Sequence, residues 1–476
     1  MLVRQIFDPY LAQYAYLIGC QRSGEALLID PERDIAQYRD LAAANGLHIS
    51  AVAETHIHAD FVSGGQEFAR DPGVHLYLSA EGGPDWLYRW PGERRNTHYL
   101  KDGETFSVGN IRVQAVHTPG HTPEHLSYLI TDLGGGADEP MLLVTGDFLF
   151  VGDVGRPDLL ESAAGQKGVM EPSARQLQAS LAGTLKPYAD YLQILPAHGA
   201  GSACGKALGA VPSSTLGYER RFNGALKQAL ADAEGFVKTI LSGQPEPPPY
   251  FATMKRVNRD GVTVTGGLPR PPQLAAEAFR QAAGEARVLD GRDDREAFDG
   301  GHVPKSLHAP LHGPFFSTSA GSYLVPEDRI LLVVENAADA ELAVRQLYRI
   351  GFDQVVGWMT VADARAGGLF TARLNRVDFP DFRADQARNE GEILDVRTTA
   401  EFEKGHVEGA LSIPYTRLRV RRDEVPRNRR LFVHCGSGKR ASLAASYLQA
   451  EGFEVVHVDG TCDECERIAQ GEGVAH

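Results

Sequence analysis

The sequence predicts an α/β protein: an N-terminal α/β sandwich followed by two smaller α/β units that are homologous to each other. Three observations carry this: a length of 476 residues, a proline-rich break near residue 245, and an internal repeat beyond the break. At roughly 100–200 residues per domain, such a chain needs several cores. A hydrophobic fraction of 43% with 23% charged residues is that of a folded globular protein.

Taken in order, the first half interleaves strand-like runs, Tyr16-Leu-Ile18, Ala26-Leu-Leu-Ile29 and Leu142-Leu-Val144, with helical stretches, and polar motifs sit at the strand ends. Gly243-Gln-Pro-Glu-Pro-Pro-Pro-Tyr250 can continue neither a helix nor a central strand, because proline lacks the N–H and fixes φ. It predicts a first domain over 1–240 and a proline-rich linker over 241–265. Beyond it, Val288-Leu-Asp-Gly-Arg-Asp293 matches Ile393-Leu-Asp-Val-Arg-Thr398, and Gly301-His-Val-Pro304 matches Gly405-His-Val-Glu408. Ile330-Leu-Leu-Val-Val-Glu335 likewise matches Arg430-Leu-Phe-Val-His-Cys435. Each repeat runs strand, loop, helix, as in a parallel sheet with crossover helices. The repeats are placed at 266–375 and 376–476.

Thr55-His-Ile-His-Ala-Asp-Phe61 follows the apolar Ala51-Val-Ala53, and in extended chain His56, His58 and Asp60 share a face. Buried without a partner, such a face would be costly, and a metal ion is the simplest partner. His117-Thr-Pro-Gly-His121, Leu143-Val-Thr-Gly-Asp147 and Leu195-Pro-Ala-His198 each follow an apolar run. His117 alone reads as a satisfied structural group, but the full set at strand ends reads as a metal centre.

In type and order these motifs resemble the metallo-β-lactamase superfamily, from the start of the chain to about residue 235, which implies an αββα sandwich. The family's first motif closes on a histidine that helps hold a second metal, and here Phe61 stands there. That departure favours one metal and weakens a two-metal hydrolytic mechanism of the glyoxalase II kind. Gly152-Asp-Val-Gly-Arg-Pro-Asp158, with Gly146-Asp147, further resembles the persulfide dioxygenases. That resemblance implies one Fe(II) per chain on His56, His121 and Asp147, a facial triad with open positions for a persulfide sulfur and dioxygen. Zinc is the alternative metal. His58, Asp60 and His198 would hydrogen-bond the ligands or bound water, or serve as alternative ligands. Arg156 would clamp a substrate carboxylate or sulfur oxyanion, or else pair with Asp153 or Asp158.

Leu431-Phe-Val-His-Cys435-Gly-Ser-Gly-Lys-Arg440 reads as a strand, a tight loop and a helix start. The N–H groups of Gly436, Ser437, Gly438 and Lys439 and the helix N-terminus form a positive cradle, reinforced by Arg440, that favours an anionic sulfur. With Leu394-Asp-Val-Arg397 and Gly405-His-Val-Glu-Gly-Ala410, the segment resembles the rhodanese family. Related phosphatases place five residues between cysteine and arginine; the four here suit a sulfane sulfur better than a phosphoester. The first repeat reads Val334-Glu-Asn-Ala-Ala-Asp-Ala340 in the matching loop, without cysteine or arginine, and is expected to be inactive, with His302 structural.

The expected function is oxidation of a small persulfide of glutathione, coenzyme A or another thiol carrier to sulfite with O2. Sulfur transfer through Cys435 would then give thiosulfate. Alternatives are a zinc thioester hydrolase with an accessory rhodanese, and a C-terminal half acting as a binding module. Cys204, just beyond His198, would relay sulfur or be inert; Cys20 reads as packing; Cys462-Asp-Glu-Cys465 has redox or metal spacing. Five scattered cysteines and an N-terminus without signal-peptide character predict a cytoplasmic chain. A net charge of -14 argues against nucleic acid, and no apolar run predicts a membrane span. A homo-oligomer is compatible with the sequence.

Overall fold

The computed structural model describes residues 1–162, 167–379, 381–382 and 391–462. The chain divides into two compact units, Met1–Pro247 with Phe251–Leu268, and Pro248–Tyr250 with Pro269–His476.

The first unit holds two six-stranded sheets. One runs β1 (Leu2–Asp8), β2 (Gln13–Cys20), β3 (Glu25–Ile29), β4 (His48–Ala53), β5 (His75–Ser79) and β6 (Thr97–Leu100), in that order. The other contains β7 (Thr105–Val108), β8 (Ile111–His117), β9 (Leu126–Asp132), β10 (Leu142–Gly146), β11 (Gln193–Pro196) and β12 (Ser214–Thr215). Strand periodicity explains the layers. Along β2, Tyr16 and Ile18 face a core shared with Val113, Ala115, Tyr128 and Val144 of the other sheet. Ala15 and Leu17 face the opposite way, against Tyr38 and Ala42 of the helix Ala36–Ala44. On the far side, Leu129 and Leu143 meet Leu177 and Leu181 of the helix Met170–Gly183 and Phe236 of the helix Ala233–Leu241. The result is the expected αββα sandwich. β8 and β10 both run antiparallel to β9, and β11 runs parallel to β10, so their C-terminal ends lie at one end of the sheet.

The prolines do stop the chain, but the linker expected over 241–265 is only partly one. Phe251–Asp260 is a helix that buries Phe251, Met254, Val257 and Asn258 within the first unit. Nothing in that stretch breaks a helix, and its apolar residues recur at helical spacing.

The second unit holds two parallel sheets. β13 (Arg287–Asp290), β14 (Leu307–His308), β15 (Ile330–Val334) and β16 (Val355–Thr360) lie in the order β14-β13-β15-β16. β17 (Asn375–Asp378), β18 (Glu392–Asp395), β19 (Leu411–Ser412), β20 (Leu431–His434) and β21 (Val455–Asp459) lie in the order β17-β21-β20-β18-β19. Apart from β17, the second order reproduces the first. Strand register corrects one detail of the repeat. Asp290 pairs with Val333 and Asp395 with His434, so Val334, not Glu335, stands where the second repeat has Cys435. Sequence matching slipped by one because both runs are apolar, whereas ladder hydrogen bonds fix the register.

Among the described residues no helix is long and apolar enough to cross a membrane.

Candidate metal centre and cysteine loop

His56 leaves the end of β4, His121 follows β8 and Asp147 follows β10, and one ligand atom from each lies within 4.8 Å of the others. All three are buried. The turn into Asp147 requires glycine: Gly146 has φ +52, and a Cβ there would lie 2.5 Å from His125 Nε2.

Each ring is held by one nitrogen. His56 Nδ1 lies 2.9 Å from Thr55 Oγ1, which donates to Asp30 Oδ2 at 2.8 Å, and His121 Nδ1 donates to the Arg156 carbonyl at 2.9 Å. The other nitrogen of each stays free to ligate. Burial takes the His121 pKa down to about 4 and that of His56 well below the ordinary value, so both are neutral, the ligating state. The Asp147 N–H donates to His125 Nε2 at 3.0 Å, and His125 Nδ1 lies 2.8 Å from Thr118 Oγ1.

Among the described residues neither oxygen of Asp147 accepts a hydrogen bond. Burial raises its carboxyl to about 6. A buried carboxylate without donors is costly, and a cation between it and two neutral imidazoles removes the cost. The donor set therefore fits a metal.

His58, two residues from His56, is gathered elsewhere. Its Nε2 lies 3.2 Å from Asp30 Oδ1 and 3.3 Å from Glu54 Oε2, and its ring packs on Phe61 at 4.3 Å. Burial alone would lower its pKa, but the two carboxylates raise it well above the ordinary value. Its Nδ1 has no hydrogen-bond partner among the described residues and remains a possible ligand atom.

Asp60 and His198 form a third group with Cys204, again with ligand atoms within 4.8 Å. His198 donates from Nδ1 to the Ala12 carbonyl at 3.2 Å and brings Nε2 within 3.4 Å of both Asp60 Oδ2 and Asp147 Oδ1. Burial, with Asp60 and Asp147 nearby, pushes the Cys204 thiol well above its ordinary pKa, so it is a protonated thiol. His117 lies outside these groups, with Nε2 2.8 Å from the Pro123 carbonyl.

Arg156 is not placed to clamp a substrate. It is 1% exposed, forms a bidentate pair with Asp158 at 2.8 and 2.6 Å, and donates to the carbonyls of Ala203 and Pro245. It braces the centre instead, joining the His121 support to the residue before Cys204. Asn258, in the helix after the proline run, also braces it: its amide donates to the carbonyls of His58 and Phe61 and accepts from the Ser63 N–H. Sequence reasoning assigned no role to Asp30, His125 or Asn258. The signal for His125 was present, since His117-Thr-Pro-Gly-His121-Thr-Pro-Glu-His125 repeats a four-residue step.

In the second unit Cys435 follows β20, 1% exposed, and leads through Gly436 and the exposed Ser437 to Gly438. Gly438 has φ +76 and caps the helix Lys439–Ala450, and among the described residues no side chain hydrogen-bonds to the first turn. Arg440 forms a bidentate pair with Glu401 at 2.6 and 2.7 Å. Burial alone would raise the Glu401 carboxyl, but Arg440 and Thr398 take it down to about 2. Cys20 is a buried thiol that accepts from the Asn110 N–H at 3.3 Å. Cys462 is buried; Cys465 lies outside the described residues.

Residues 9–191 match the model of the metallo-beta-lactamase superfamily, and residues 381–466 that of the rhodanese-like domain. The crystal structure of a metallo-beta-lactamase from Staphylococcus aureus subsp. aureus COL is 38% identical, with a TM-score of 0.66, over 76% of this chain and 99% of that one. The Bos taurus "Persulfide dioxygenase ETHE1, mitochondrial" is 32% identical over 167 residues, 34% of this chain and 59% of that protein. A hydroxyacylglutathione hydrolase of Gloeobacter violaceus is 31% identical over 202 residues, 42% of this chain and 68% of that protein. The match thus spans little more than half the length of the curated persulfide dioxygenases.

Proposed function

Because this chain belongs to the metallo-beta-lactamase superfamily and carries a rhodanese-like domain behind that fold, we propose that it oxidises a small persulfide at one Fe(II) and handles sulfane sulfur at Cys435. The observation that carries the reading is the three-residue set itself. His56, His121 and Asp147 stand together while the next histidine of the motif is drawn off by Asp30 and Glu54. Two neutral imidazoles and one carboxylate leave coordination positions open, the arrangement of Fe(II) oxygenases. Fe(II) bound there would supply the activation of dioxygen beside the persulfide sulfur.

The protein's own groups do the rest. Thr55 and the Arg156 carbonyl fix the two rings, and His125 fixes the backbone that presents Asp147. The net reaction takes a persulfide, one O2 and one water to the thiol, sulfite and two protons. At Cys435 the thiolate attacks the outer sulfur of a second persulfide; the donor S–S bond breaks and the thiol leaves. Sulfite then attacks the outer sulfur of the cysteine persulfide, forming thiosulfate and releasing the thiolate. The loop N–H groups and Arg440 hold the anionic sulfur throughout. In reverse, the same step would supply persulfide to the iron. Residues 266–375 are read as a rhodanese-like repeat that has lost this chemistry.

One observation favours a second reading. Asp60, His198 and Cys204 beside Asp147 could hold a second ion, and zinc at the paired sites would activate water against a thioester. Phe61, standing where the family's first motif has a histidine for a second metal, weighs against it.

Metal analysis of anaerobically purified protein, combined with oxygen uptake on adding glutathione persulfide, separates the two. Near-stoichiometric iron with uptake is expected. Zinc, no uptake and rapid thioester hydrolysis would overturn the proposal.

A further inference from the structure

His457 lies on β21 opposite Val433, two residues before Cys435, and its ring is fully buried. Its Nε2 is 3.0 Å from the Gly438 carbonyl, and its Nδ1 is 2.8 Å from Asp299 Oδ2. Asp299 is buried in the helix Arg295–Gly300 of the first repeat. A carbonyl only accepts, so Nε2 carries a proton, and a second proton lies between Nδ1 and the Asp299 carboxylate. Asp299 thereby fixes which nitrogen faces the loop and at what angle.

The Gly438–Lys439 peptide is one of those that form the cradle. In a trans peptide the N–H points opposite to the C=O, so holding the Gly438 carbonyl on His457 also holds the direction of the Lys439 N–H. Within the helix the Gly438 carbonyl also accepts from the Ser442 N–H at 3.0 Å; among the described residues no side chain caps that end, and His457 adds a second donor from outside the helix. Two further contacts from the first repeat act on the same region. His308 Nδ1 lies 2.7 Å from Ser442 Oγ, one turn into the helix. Arg295 holds Asp459 at 2.8 Å, and Asp459 Oδ1 lies where a Cβ at position 438 would fall, 1.9 Å away.

We infer that the cysteine-free repeat is a positioning partner of the sulfur-carrying loop, acting through the chain Asp299–His457–Gly438. The inference rests on reading Cys435 as the sulfur carrier and gives the first repeat a task in that step.

The test uses the full-length protein and two readouts: the rate of Cys435 alkylation by iodoacetamide, followed by mass spectrometry, and thiosulfate:cyanide sulfurtransferase kinetics. Asp299→Ala should slow alkylation and lower kcat by about tenfold each, with little change in KM, as expected when a hydrogen bond to a charged group is lost. The isosteric Asp299→Asn guards against a folding failure, and an unchanged circular dichroism spectrum and melting profile report an intact second unit. His457→Gln should match Asp299→Ala, and the double variant should be no worse than either single one, because the two act in series. Wild-type alkylation and kcat in both Asp299 variants would overturn the inference, as would a double variant whose loss is the product of the single losses. Activity surviving Cys435→Ser would instead strike the carrier reading, while the alkylation rate, which needs no turnover, still decides the role of Asp299.

Discussion

In the first repeat Arg292 pairs with Asp290 at 2.7 Å and donates to the Gly301 carbonyl; in the second Arg397 pairs with Asp395 at 2.6 Å and donates to the Gly405 carbonyl. Phe298 stacks on His302, and Phe402 on His406, with ring centroids 4.2 and 3.7 Å apart. The frame is common down to single side chains, yet after β15 and β20 the repeats part. In the first, Asn336 Oδ1 accepts the N–H groups of Ala338 and Asp339, so the helix N-terminus is filled from within. In the second, among the described residues that end has no side-chain cap, and Cys435 opens a four-residue loop before it, against two residues after β15. Glu401, which holds Arg440, has Ala297 as its counterpart. A strand–loop–helix frame therefore does not make an anion site by itself. The N–H groups must be left unfilled, and the cation beside them must be held.

The largest effect expected from this difference is at the cysteine. Cys435→Ser should abolish thiosulfate:cyanide sulfurtransferase activity while oxygen uptake on glutathione persulfide persists. Residual transferase activity near wild type would show that the uncapped loop is not the sulfur carrier and would erase the functional distinction between the repeats.

A smaller effect is expected at Glu401. Glu401→Gln should lower sulfurtransferase kcat about tenfold, since Arg440 loses a bidentate charge-assisted pair and its fixed direction. The same variant carries a pH signature. The Glu401 carboxyl, ordinarily near 4.5, is held at about 2 in the folded chain, so its stabilising contribution is full above the ordinary value. It is lost as pH falls from there toward 2. The stability difference between wild type and variant, followed by urea unfolding across that range, should therefore shrink on acidification. A difference that stays constant would mean that Arg440 does not depend on this partner.

What was legible in the sequence follows the same logic. His56, His121, Asp147 and Cys435 could be singled out as candidates because strand ends and turns mark them locally. Their supports could not. Asp30 reaches His56 through Thr55 from 25 residues away, Asn258 reaches the loop at His58 from 200 residues away, and no spacing rule foretells either. Arg156 was read two ways, as a substrate clamp or as the partner of Asp153 or Asp158; the guanidinium turns inward to Asp158, two residues off, rather than toward a substrate. Layering and repeat order were readable from periodicity and internal similarity, whereas the one-residue register of Val334 against Cys435 is set by ladder hydrogen bonds.

The smallest expected effect tests the cap that separates the repeats. Asn336→Ala removes the acceptor for two helix N–H groups, a change that costs about 1 kcal/mol at an N-cap. The second repeat shows that this frame tolerates an uncapped helix end, so the chain should remain folded. The exposed N–H groups should then behave as they do in an open cradle. Amide hydrogen exchange at Ala338 and Asp339 should accelerate about fivefold, the ratio that corresponds to ~1 kcal/mol, while sulfurtransferase kcat stays at the wild-type value. Neither Asn336 nor these N–H groups belongs to the chain from Asp299 to Gly438. A matching fall in kcat would therefore mean that the first repeat supports the cysteine loop through its helix end as well, and the two helix ends would have to be treated as one coupled element.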